Sequence, residues 1–257
     1  MKSTKTQLHS RGFVFEEDIE PYKDYRENEL LDLLYDKDAF KRTISVRLLS
    51  KKPKEKYIPV FCEMLKSGEK LYTKLELQST LKEYGEKALP YLVPLLGTIG
   101  NNQHKKIEIV DIKKKSYPCP RDIVAMILIR IGPTVFPELD KLLKEDKERI
   151  QINEAIDVIG HITWNFHDYS MGKTLLEYYA KHKNDEFIQW KIIRAFQSFN
   201  SEEMIKILKD IIKRHKNKVS AIKTADTNTI DDIEMSSISK VIAEEAKRSL
   251  NRIENRK

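Results

Sequence analysis

The chain has 257 residues, 40% hydrophobic and 34% charged, with a formal net charge of +7 at pH 7. Eight Gly and nine Pro are too few to punctuate an all-β chain, and no apolar run reaches the roughly 18 residues that span a bilayer. The composition therefore reads as a soluble, cytoplasmic, all-α protein, and the excess of bases favours an anionic partner.

In chain order, residues 1–24 hold two early lysines and no apolar stretch of the kind a secretory signal needs, so they are expected to form a tail that is partly ordered at most. From Glu16 to Asp38 ten acids stand against three bases. Leu30, Leu31, Leu33 and Leu34 predict a leading helix over about 25–35. An internal repeat begins after it. The strings KYIPVFCEML (56–65), KALPYLVPLL (87–96) and TVFPELDKLL (134–143) share a Pro after a polar start, then apolar residues at helical spacing. Pro59 and Pro90 lie 31 residues apart, and Pro137 follows 47 later, which places an insertion between them. Tyr84-Gly85 and Ile131-Gly132 come just ahead of the second and third prolines. Gly suits the position past a helix end and Pro the first turn of the next, so each unit reads as helix A, a tight turn and helix B. Pairs are predicted near 38–65, 69–98, 120–145, 147–181 and 184–215.

The insert, 101–120 (NNQHKKIEIVDIKKKSYPCP), reads as a surface loop on two prolines and five lysines. In the fourth and fifth units, Ile152, Ala155, Ile156 and Ile159, and then Ile188, Ile192, Phe196 and Phe199, each mark one face of an A helix. The polar stretch 217–232 reads as a loop. From Ser236 onward, Ile238, Ile242, Ala246, Leu250 and Ile253 share a face, as a helix capping the last hairpin would require over 236–257.

These Gly-turn-Pro hairpins, together with the ending EAKRSLNRI (245–253), resemble HEAT repeats of the short bacterial kind, also called PBS-lyase-like. The resemblance covers about 38–215 plus the terminal helix. It implies an α-α superhelix, a solenoid of about five hairpins in a single domain over 25–257, with B helices lining a concave groove. It does not imply one function, since such arrays serve many.

Chemistry is sparse. No phosphate loop, nucleophile elbow or metal-ligand spacing occurs, and no cofactor or metal is expected. Cys62 and Cys119 read as buried or half-buried thiols. The spacing of Trp164 and Asp168 is similar to that in DNA alkylation-repair glycosylases, also built on HEAT-like repeats, where an aromatic ring holds a lesion beside a carboxylate. The competing reading makes Asp168 a helix N-cap and Trp164 a hairpin anchor. Lys105, Lys106, Lys113, Lys114 and Lys115, with Tyr117, form the other candidate surface. The expected function is a non-enzymatic interaction module that binds a protein partner through groove and insert. Nucleic-acid binding is the alternative, disfavoured because the insert has a single aromatic to read bases.

Overall fold

Prolines and glycines set where the helices start and stop. The computed structural model describes residues 3–107, 117–224 and 230–256, with side chains described outside 218–238, and among them every regular element is helical. Short α1 (Lys5–Ser10) and two 3-10 turns precede α2 (Glu27–Leu33). Hairpins follow: α3 (Ala39–Ser50) with α4 (Tyr57–Lys66), and α5 (Leu71–Glu83) with α6 (Leu89–Leu92). After the insert come α7 (Ile123–Ile131) with α8 (Phe136–Glu145), and α9 (Arg149–Phe166) with α10 (Gly172–Lys181). Last are α11 (Glu186–Phe196) with α12 (Glu202–Thr224), then α13 (Ile230–Glu254).

Gly85 and Gly132 take φ of 55° and 93°, in the left-handed region that the repeat demands of them. The Gly132 N–H closes α7 on the Leu128 carbonyl at 3.1 Å, and Pro137 sits in the first turn of α8, where no N–H is needed. The second hairpin departs from its expected continuous B helix. Pro94 lies four residues after Pro90, so it removes a helical N–H and crowds that carbonyl, and α6 gives way to a 3-10 turn at Val93–Leu95.

Hairpins pack in chain order through their first helices: α3 on α5, α5 on α7, α7 on α9, α9 on α11, and α11 on α13. One apolar core runs through them, from Leu30 in α2 to Ile253 in α13. Polar side chains tie neighbours at about one repeat's offset. Arg42 donates to both Glu69 oxygens at 2.8 Å, Arg47 to Glu76 at 2.7 Å, and Thr174 to Asp140 at 2.6 Å.

Two segments differ from expectation. The N-terminal stretch is a packed element: the Tyr72 N–H donates to the Arg11 carbonyl at 3.0 Å, and Val14 and Ile19 join Ile44 in a small buried cluster. Of the stretch read as a loop at 217–232, residues 217–224 continue α12 and 230–232 open α13, while 225–229 lie outside the described residues. Lys216, Lys218, Ala221 and Lys223 are good helix formers, and Val219 and Ile222 continue the spacing of Leu208 and Ile212. Cys62 is buried, but Cys119 is exposed, its thiol 3.2 Å from the Met126 sulfur.

The tightest approach at any glycine joins the end of the insert to α9. A Cβ on Gly160 would overlap the Tyr117 ring and lie 3.1 Å from the Ala195 Cα, while Ser198 Oγ donates to the Gly160 carbonyl at 2.6 Å. Replacing Gly160 by Ala adds helix propensity, yet is expected to destabilise the protein by about 1–3 kcal/mol through overpacking. Urea unfolding measures this; a gain in stability would show that the space is not closed.

Candidate functional site

The insert leaves α6 through Gly97, whose bare backbone lets the chain cross the start of α9: a Cβ there would come within 2.9 Å of the Ile150 carbonyl oxygen. Gln103 then anchors the loop. Its Nε2 donates to the Ile99 carbonyl at 2.7 Å and to Asp122 at 3.0 Å, and Asp122 caps α7 by accepting from the Ala125 N–H at 2.8 Å. Burial pushes the Asp122 carboxyl above its ordinary value. His104 sets its ring edge-on to the buried Trp190 at 5.4 Å. Lys105 and Lys106, next along, are exposed.

Between this loop and the starts of α9 and α11 lies a cavity of about 1320 Å³. One wall is the insert, from Asn101 to Ile107; the other carries Arg149, Ile150, Asn153 and Glu154 of α9 and residues 183–187 ahead of and within α11. Arg149 donates to Asp185 at 2.7 Å across this wall, and Asp185 in turn caps α11. A second cavity of about 790 Å³ shares Lys105 and Lys106 and adds Arg121.

Under the cavity the helices carry charge into the core. Lys191 is fully buried on α11, its Nζ 2.6 Å from Asp157 and 3.4 Å from Glu154 on α9. One ammonium faces two carboxylates. Burial pushes the Glu154 carboxyl up to about 7, with Lys191 only partly offsetting it. Burial acts on Asp157 in the same sense, but Lys191 and Arg194 beside it outweigh that and hold it below the ordinary carboxylate range. His104 is pushed down to about 4 by burial, with the Lys191 charge adding to it. The Asn153 Oδ1 is buried and accepts no hydrogen bond.

Of the residues singled out by sequence, Lys105 and Lys106 sit on the cavity rim, and Lys113, Lys114 and Lys115 lie outside the described residues. Tyr117 is no surface aromatic. It is buried against α9, edge-on to His161 at 5.6 Å and tilted to Trp164 at 6.2 Å, and burial raises its phenol well above the ordinary value. Trp164 is half-buried, with the guanidinium of Arg256, just past the end of α13, 3.4 Å from its ring centre and donating to its carbonyl at 3.2 Å. Asp168 is not a helix N-cap: it accepts from the Ser170 N–H at 2.9 Å in the turn, and α10 begins only at Gly172. Because α9 ends at Phe166 and His167 takes φ of 56°, Trp164 and Asp168 do not continue on one helical face. Trp164 thus anchors the cap helix.

His104, Asn153, Glu154, Asp157 and Lys191 escaped sequence reasoning. His104 lies in the insert with no pattern to mark it; the signal for the other four was a set of charged or amide residues inside the apolar runs of α9 and α11. Neither a serine nor a cysteine lines the cavity, and no group of three potential metal ligands occurs, among the described residues. No helix there is long and apolar enough to cross a membrane. Comparisons with protein families, curated proteins and solved structures each return no match.

Glu154 predicts a pH signature. An acid raised from 4.5 to about 7 on folding binds more protons folded than unfolded between those values, so its contribution to stability falls as pH rises through that window. His104, lowered from 6.5 to about 4, acts oppositely, so the variant must be compared with the parent at each pH. Glu154→Gln is expected to gain stability relative to the parent between pH 5 and pH 8, by about 1 kcal/mol or more. Thermal unfolding followed by circular dichroism checks this; an offset independent of pH contradicts it.

Proposed function

We propose that the chain is a non-catalytic interaction module of HEAT type, a curved solenoid of helical hairpins, that holds a protein partner where the insert crosses the starts of α9 and α11. The repeat reading is supported by first helices that pack in chain order and by polar links recurring at offsets of 27 to 36 residues. One observation carries the binding reading: exposed Lys105 and Lys106 stand on the rim of a 1320 Å³ cleft, held there by the half-buried Gln103–Asp122 link. A loop fixed at its root while presenting charge to solvent suits recognition.

Among the described residues no serine or cysteine lines the cleft, and its Thr98 hydroxyl donates to the Leu95 carbonyl at 2.8 Å, which supports holding over turnover. Rim charges of this kind steer association and select partners. The surface proposed is accordingly the insert with the α9 and α11 starts, in place of a groove made by B helices alone.

The test is a quantitative pull-down from cell extract with three full-length baits: the parent, Lys105→Glu/Lys106→Glu, and the charge-matched control Lys206→Glu/Lys209→Glu on α12. A protein recovered by parent and control and reduced about tenfold by the insert variant is the expected result. Equal recovery by all three sinks the proposal. Retention of duplex DNA that falls steeply with salt would replace the protein partner by nucleic acid.

A further inference from the structure

We infer that the cleft takes an extended, acidic polypeptide segment, with its carboxylates at Lys105, Lys106 and Lys183 and one of its N–H groups on Asn153. This rests on the partner-binding reading above and names the chemistry of what is held.

Charge comes first. Arg149 on the cleft wall is already neutralised by Asp185, whereas Lys105, Lys106 and Lys183 are exposed on the rim and carry no ion pair among the described residues. Glu186 on the rim and Glu154 on the wall, the latter facing Lys191, are the opposing charges left, so the balance there favours an anion. The start of α9 adds to it: this 18-residue helix opens at Arg149 with no side-chain hydrogen bond from its cap, Glu148, and its dipole brings partial positive charge to the cleft.

Asn153 supplies an independent observation. It lines the cleft, is 9% exposed, and its Oδ1 has no hydrogen-bond partner. A buried unmet acceptor asks for a donor, and a plain anion such as sulfate has none to give at neutral pH. A polypeptide has both: side-chain carboxylates, and a backbone N–H about every 3.3 Å along an extended strand. The size agrees, since 1320 Å³ exceeds the roughly 300–1,000 Å³ of small-molecule pockets and suits a length of chain. Single-stranded nucleic acid fits less well, because it needs aromatic faces to stack on. The two rings of the cleft, His104 and Phe187, are both turned against Trp190, at 5.4 and 5.7 Å.

The probe is a fluorescein-labelled peptide of about ten residues alternating Gly and Glu, titrated with the full-length protein by fluorescence anisotropy. A Gly-Lys peptide and a thymidine oligonucleotide of equal length run beside it. Binding of the Gly-Glu peptide should be the tightest, unchanged in Lys206→Glu/Lys209→Glu and about tenfold weaker in Lys105→Glu/Lys106→Glu. Asn153→Leu should weaken it several-fold while leaving the melting temperature unchanged or raised, since the variant removes an unmet polar atom from a buried site. A merely structural Asn153 would not separate the two readouts. No binding of the Gly-Glu peptide, equal binding of the Gly-Lys peptide, tighter binding of the oligonucleotide, or indifference to either cleft variant overturns the inference. If the insert variant loses a captured protein in the pull-down while the Gly-Glu peptide fails to bind, the acidic class falls and the partner reading stands. If both experiments are silent, both fall.

Discussion

Burial of the middle turns of α9 and α11 on every side is the constraint on which the rest of this structure depends. Each is a first helix of its hairpin, packed between its neighbours and covered again by the insert and by α13. A helix so enclosed cannot leave charge in water, so any charge it carries must be matched in place. Lys191 is matched by Asp157 and Glu154, and Arg194 lies 3.7 Å from Glu245 of α13 and 4.0 Å from the Trp190 ring. Removing the insert or the cap helix would therefore uncover polar groups already committed to internal partners. Cleft, insert and cap belong to one arrangement.

Insert and cap meet at the same place from opposite directions. Tyr117, near the end of the insert, lies over Gly160, and Arg256, near the end of α13, covers Trp164 one helical turn further along. Tyr117 holds the end of the insert as Gln103 holds its start, while Lys105 and Lys106 reach solvent. It also explains why an aromatic followed by a carboxylate need not form a lesion site here: the ring is spent on packing the cap, and the acid on closing a turn.

Much of this fold was legible because hairpins are written locally. Proline in a first turn, glycine past a helix end and the 3.6-residue period each act within a few residues, and they located the five pairs and the terminal helix. What escaped was tertiary. The N-terminal segment has no helical stripe, and its order comes from contacts with α3 and α5, such as the hydrogen bond from Tyr72 to Arg11. The continuation of α12 carries only Val219 and Ile222 at helical spacing among polar residues, a short signal that the polar composition masked. In the candidate site, Lys105 and Lys106 could be read from a run of charge in a loop. Lys191 could not be paired in advance with Asp157 and Glu154, which lie 34 and 37 residues away, because a charge within an apolar run does not name its partner.

The most direct test of this arrangement is a double-mutant cycle between Lys191 and Asp157, using Lys191→Met, Asp157→Asn and the pair, with stability read from urea unfolding. If the buried ammonium is held as described, each single change leaves an uncompensated polar group, and the pair loses less than the sum by about 2 kcal/mol or more. Additivity within about 0.5 kcal/mol would show that the two groups do not depend on one another, and that the floor of the cleft is not built on their contact.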